Sequence, residues 1–153
     1  MGFVLQESQF QGRNIASEDI SNYKIVSANN FAFNPSRINV GSIARLKDYK
    51  KGIISPMYTC FDVVDGKIEP EYLEIFFLSE SFKKELSSKL EGSVRQSLSF
   101  NNLQKIKIRS KSPKYQKEFA ENICKFQKAI KILKSKHTKI IKLKDYFLSE
   151  MFI

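Results

Sequence analysis

After Pro113 the chain runs to its end without a glycine or another proline, and that run constrains the fold more than any other feature. Nothing in it breaks a helix. Its apolar positions follow a heptad: Phe119, Ile123, Phe126, Ile130, Leu133, His137, Ile140, Lys144, Phe147 and Met151, interrupted only at His137 and Lys144. Forty helical residues span about 60 Å at ~1.5 Å each. A narrow 4-3 seam of that length packs on one partner helix rather than on a broad core. No second long helix is legible in the chain, so the partner is expected to come from another molecule.

Charge follows the same division. Residues 111–153 hold eleven lysines against four acids, whereas residues 1–110 hold fifteen Lys and Arg against twelve acids, within a formal net charge of +10. A basic chain of this kind tends towards a polyanion, nucleic acid first and an acidic membrane surface second. Lys125, Lys128, Lys131, Lys134, Lys139 and Lys142 either solvate the outer face of the helix or track DNA phosphates, and the two roles are compatible. Cys60, Cys124 and the single His137 have no ligand-like spacing and cannot assemble a zinc site; two buried free thiols in a reducing cytosol are expected. The longest apolar block, Ile75 to Leu78, is far too short to span a bilayer, and MGFVLQESQF has neither a basic nor an apolar leader region. A cytoplasmic protein is expected.

Ahead of the helix, short apolar runs alternate with turn chemistry. Tyr23–Val26 and Phe31–Phe33 read as strands around Ser27-Ala28-Asn29-Asn30, and Phe3-Val4-Leu5 is strand-like directly after Met1. Asn34-Pro35-Ser36 stops the Phe31 run, Ile38 and Val40 resume it, Gly41-Ser42 turns it, and Ile43 with Leu46 begins another strand. Lys50-Lys51-Gly52 reads as a basic turn and Ile53-Ile54 as a buried strand. Ser55-Pro56 breaks it before Tyr58–Val64, and Asp65-Gly66 is a hairpin signal ahead of Ile68. Pro70 suits the first turn of a helix through PEYLEIFFLSE, with Glu71 and Glu74 at its positive end. Ser81 is expected to cap a second helix closed by Gly92. An extended SVRQSLSF, a short helix from Asn101 or Asn102 and a strand over Ile106–Ile108 follow. RSKSPKYQ, residues 109–116, reads as the domain boundary.

Polar and basic side chains gather at the turns of this sheet: Asn34, Arg37, Asn39, Ser42, Arg45, Lys47, Lys50 and Lys51. Arg pairs with guanine edges and Asn with adenine edges, so loops presenting them from a rigid sheet suit base reading. Arg95 and Gln96, beside Gly92, join them as DNA-facing candidates. The competing reading is ordinary turn chemistry, with Asn and Ser satisfying loop backbone and Arg as a surface charge. Asn34-Pro35-Ser36-Arg37 is similar to the NPP-aromatic motif of adenine methyltransferases but lacks the aromatic that stacks on a flipped base, and no glycine-rich cofactor loop accompanies it. Asp65-Gly66-Lys67 is the only nuclease-like triplet and is better explained as a turn. No phosphate-binding loop, HExxH or nucleophile–base pair is present. A non-catalytic chain is expected, with no cofactor or metal of its own.

Several blocks are more specific than their physics. FAFNPSRINVGSIA followed by GIISPMYTCF resembles the target recognition domain of type I restriction–modification specificity subunits. PEYLEIFFLSESFKKEL, GSVRQSLSFNNLQKIKI and a long helix ending KDYFLSEMF continue the resemblance in the family's order across most of the chain. The resemblance places GFVLQESQF and IASEDISNYKIV well inside a recognition domain, which implies a form shortened at its N-terminus. It implies an α+β fold: a small mixed-sheet recognition domain over residues 1–110, then a long coiled-coil helix over residues 111–153.

The function implied is sequence-specific recognition of double-stranded DNA. In the family two recognition domains each read half of a bipartite site, and two paired helices set the gap. Modification subunits, which bind S-adenosylmethionine and methylate adenine, dock on this scaffold; restriction subunits, using ATP and Mg2+, join them. With one domain and one helix, two copies can rebuild that arrangement as a homodimer with antiparallel helices, paired through Phe119, Ile123, Phe126, Ile130, Leu133, Ile140, Phe147 and Met151. The alternative is an interaction module, or a truncated remnant, whose helix pairs with a partner protein and which reads no DNA.

Overall fold

A computed structural model of the chain describes residues 19–64, 66–92, 96–109 and 111–151. The strand expected at Phe3–Leu5 lies outside them. Five short strands come first: β1 (Lys24–Ser27), β2 (Phe31–Phe33), β3 (Ile43–Arg45), β4 (Lys51–Ile54) and β5 (Thr59–Phe61). Four helices follow: α1 (Pro70–Phe77), α2 (Glu80–Ser87), α3 (Phe100–Gln104) and α4 (Pro113–Met151). The strands form a β1–β4 ribbon and a three-stranded sheet in the order β3-β2-β5. Every pairing of these strands is antiparallel, so the architecture is α+β with antiparallel rather than mixed sheets.

The central strand β2 is buried along its whole length, as Phe31-Ala32-Phe33 requires. Phe31 stacks on Phe61 at 5.3 Å and meets Phe77 edge-on at 5.6 Å, which seats α1 against the sheet. Phe33, Ile38, Phe82, Leu86, Leu98 and Leu103 form the main core, with Phe61, Phe76 and Phe100 packed around it. Burial of such large side chains is the principal stabilising term in a domain of this size.

Several local expectations are corrected. Ile38–Val40 is a 3-10 turn and not a strand: Ile38 turns inward onto the core, and Gly41, at φ 85°, ends the turn by donating its amide to the Ile38 carbonyl. Lys51-Gly52 lies inside β4 rather than in a turn. Ile53 is exposed, because β4 pairs only with β1 and the period-2 alternation sends the cross-strand pair Ile25–Ile53 outward. β5 ends at Phe61. Beyond it the chain turns at Val64–Lys67 and enters α1, so Ile68 starts no returning strand; Asp65 itself lies outside the described residues.

Pro70 opens α1 as expected. The cap of α2 is Ser79, two residues before the expected Ser81; its Oγ accepts from the Phe82 amide at 3.1 Å, and this phase points Phe82 and Leu86 into the core. That helix ends at Ser87, so Gly92 does not close it; Gly92 instead follows Glu91, which bridges to Ser97. Helix α3 starts at Phe100 behind the Ser99 cap. Ile106–Ile108 forms no strand, because no neighbouring strand is there to pair with it. The cysteines are not both buried: Cys60 is half-buried and Cys124 exposed, and both are free thiols.

Helix α4 runs 39 residues without interruption, about 58 Å at ~1.5 Å per residue. Its first turns belong to the domain. Gln116 and Ala120 are buried, Phe119 and Ile123 are half-buried, and Phe119 packs edge-on against Tyr72 of α1 at 5.8 Å. From Cys124 to Met151 every residue is exposed.

Candidate nucleic-acid interface

The two ends of the three-stranded sheet divide the candidate residues. Phe33 is paired with Ile43 and Thr59, so the loop 34–42 and the turn 55–58 emerge together at one end. Asn34, Arg37, Asn39 and Ser42 all lie on that loop. Phe31 is paired with Arg45 and Phe61 at the opposite end, where Lys47 follows. Ala28 donates to the Lys50 carbonyl and Lys51 pairs with Ser27, so Lys50 and Lys51 also belong to the second end. The fold therefore builds two clusters rather than one surface.

In the first cluster Asn34 is a loop-former. Its Oδ1 accepts from the Ser36 amide at 3.0 Å, and its amide nitrogen faces the Met57 Sδ at 3.7 Å. Ser42 closes the loop through backbone, donating to the Arg37 carbonyl and accepting from the Asn34 amide. Arg37 and Asn39 are exposed, and their side chains carry no hydrogen bond or ion pair among the described residues. The donors and acceptors of these two exposed side chains are free for a ligand. Beside them stand two features the sequence reading missed: exposed Val40 and Met57, and Lys24, whose Nζ donates to the Tyr58 carbonyl at 2.6 Å. Met57 was legible only as the residue after the Ser55-Pro56 break. Its approach to Asn34, 23 positions earlier in the chain, is tertiary.

The second cluster is partly neutralised. Arg45 is buried and ion-paired to Glu71 at 2.7 Å and Glu74 at 3.0 Å, with a further hydrogen bond to Asn29 Oδ1. Lys47 holds the other oxygen of Glu74 at 2.9 Å. The two acids suited to the start of α1 thus fasten that helix to β3, and they draw Arg45 inward. Lys50 and Lys51 are exposed without side-chain partners among the described residues. Gln96 is exposed next to the Glu91–Ser97 bridge, and Arg95 lies outside the described residues.

The helix provides the third surface. Its seam residues Phe126, Ile130, Leu133, Ile140, Phe147 and Met151 are all exposed, whereas Phe119 packs on Tyr72 of the chain's own domain and Ile123 is half-buried. The apolar face is wider than the seam: Ile132, Ile141, Leu143, Tyr146 and Leu148 flank it, also exposed, and most lie in the last third of the helix. In the sequence those residues are legible only as apolar neighbours of heptad positions. On the same stretch every lysine from Lys125 to Lys144 is exposed, and only Lys144 is in an ion pair, with Asp145 at 3.4 Å.

Among the described residues no three His, Cys, Asp or Glu side chains come together as a metal centre needs, and no helix is long and apolar enough to cross a membrane. Cys60 faces a partly apolar environment; its burial pushes the thiol pKa up, and nearby Lys24 pulls it back in part.

No protein-family model and no curated protein matches the chain. Among solved structures, the HsdS subunit from Thermoanaerobacter tengcongensis superposes with a TM-score of 0.63 over 76% of this chain, at 18% sequence identity. The chain spans 30% of the length of that subunit. At this identity the likeness is one of fold, and the fold that this chain shares is that of a type I restriction–modification specificity subunit.

Proposed function

We propose that this chain is the DNA-recognition component of a type I restriction–modification complex: a non-catalytic chain that reads one half of a bipartite target in double-stranded DNA and scaffolds the modification subunits. The observation that carries the reading is the shared fold with the HsdS subunit, over a stretch that includes most of the described chain. Arg37 and Asn39 at one end of the sheet and Lys50 and Lys51 at the other are the side chains positioned for bases and phosphates. The exposed helix from Cys124 onward supplies the pairing face, with a second copy laid antiparallel against it, or with a different specificity chain. The chemistry belongs to partners: S-adenosylmethionine on modification subunits, ATP and Mg2+ with restriction subunits. Such a complex works where the DNA is, in the cytoplasm.

The test is co-purification with a type I modification subunit, followed by mapping of adenine methylation on random-sequence DNA. Methylation at one gapped inverted repeat supports two identical halves, and an asymmetric bipartite motif supports a second, different chain. Absence of both complex and methylation refutes the reading. The exposed apolar face of α4 also fits a helix-pairing module that reads no DNA. Salt separates the two: contact with several phosphates loses affinity steeply between about 50 and 200 mM salt, while apolar helix pairing does not.

A further inference from the structure

Only two polar side chains are buried among the described residues, and one of them sits at the root of the long helix. Gln116 is 0% exposed. Its Oε1 accepts from the Glu69 amide at 2.9 Å, and its Nε2 donates to the carbonyls of Lys67 at 3.2 Å and Lys111 at 2.8 Å. Both donors are used, and the three partners are backbone groups from two chain segments: the entry to α1 and the linker before α4. A glutamine that meets three fixed backbone groups at once admits one orientation of the helix that carries it. Around it, Ala120 is buried one turn further on, Phe119 packs on Tyr72, and Tyr72 Oη donates to the Arg109 carbonyl at 3.2 Å.

Beyond this root no described residue of the domain buries the helix: every residue from Cys124 to Met151 is exposed. The arm from Gln116 to Met151 is about 52 Å at ~1.5 Å per residue. A tilt of about 10° at its root displaces its end by about 9 Å, on the order of two to three base-pair steps of ~3.4 Å.

We propose that Gln116 is a specificity-determining residue that touches no DNA: it locks α4 to the recognition domain at one angle, and so fixes the number of base pairs between the half-site this domain reads and its partner half-site. The inference rests on the DNA-reading role proposed above. Gln116 acts through the helix, as a positioning residue.

Two readouts test it. The first needs no DNA. Spin labels on cysteines introduced at Arg37 and Lys142, with Cys60 and Cys124 changed to serine and the labelled protein diluted into unlabelled, report the angle between domain and arm as a distance distribution. Gln116→Met is expected to widen that distribution at least twofold, while Leu86→Val, which weakens the core away from the root, leaves it unchanged. Equal widths for the parent and Gln116→Met overturn the lock. The second readout is methylation, with the modification subunit bound, of targets whose gap is varied one base pair at a time. The parent and Leu86→Val are expected to accept one gap, and Gln116→Met to methylate gaps one or two base pairs away within tenfold of the best rate. A widened distribution with an unchanged gap overturns the specificity role. A parent that methylates no target refutes the DNA-reading role and the specificity role with it, while the distance widths alone still decide whether Gln116 locks the helix.

Discussion

Replacing Arg45 with methionine separates its structural role from a DNA-reading one. The Arg45 side chain is only 7% exposed, while Glu74 is 18% and Glu71 43% exposed. The Glu71 pair is close enough to solvent to contribute about 0–1 kcal/mol, as surface pairs do. The bond to Glu74 is charge-assisted and mostly out of water, and its loss costs about 1.5–3 kcal/mol, because the carboxylate keeps only the more exposed Lys47. Methionine retains the apolar stem, so packing is largely preserved. Arg45→Met is therefore expected to destabilise the domain by about 1.5–4 kcal/mol, seen in urea unfolding as a midpoint lowered by roughly 0.8–2 M for a slope of ~2 kcal/mol per M. Arg45→Met with Glu74→Leu removes both charges of the pair together and is expected to recover at least half of the loss. A cost below about 0.5 kcal/mol, or a double variant whose loss equals the sum of the singles, would refute the buried-network account. A fall in DNA affinity at unchanged stability would return Arg45 to the reading surface.

Three further outcomes are expected. Leu133→Glu with Ile140→Glu should abolish self-association in sedimentation while leaving domain unfolding within about 0.5 kcal/mol, since both residues are exposed and make no support for the domain; a destabilised monomer would contradict that. Ser79→Ala should cost about 1 kcal/mol through loss of the α2 cap, and Ser81→Ala close to nothing; the reverse order would restore the cap to Ser81. Iodoacetamide at pH 8, followed by mass spectrometry, should label exposed Cys124 well before Cys60. Burial raises the Cys60 pKa and keeps it as the unreactive thiol at a pH where an ordinary cysteine has begun to ionise; equal labelling would contradict its half-buried placement.

What the sequence determined by itself was what depends on neighbours along the chain. An uninterrupted run of helix-compatible residues after Pro113 has no other regular structure open to it. Proline at position 70 starts a helix, and Phe31-Ala32-Phe33 cannot stay in water. The wording of several blocks also carried the resemblance to specificity subunits, whose fold the chain shares. What only the tertiary structure decided was which of two locally equal options each residue took. Ile38 alternates as a strand residue does, yet Phe82, Leu86 and Leu98 hold it in a 3-10 turn. Ser79 and Ser81 are equivalent caps until Phe82 must face inward. Arg37 and Arg45 are both basic residues near a turn, but Glu71 and Glu74, about thirty positions downstream of Arg45, bury one and leave the other free. Gln116 looked like a polar residue in a linker and is the most completely buried side chain at the root of the helix. The cause is the same in each case: burial and charge pairing depend on groups distant in sequence, and only the folded chain brings those groups within bonding distance.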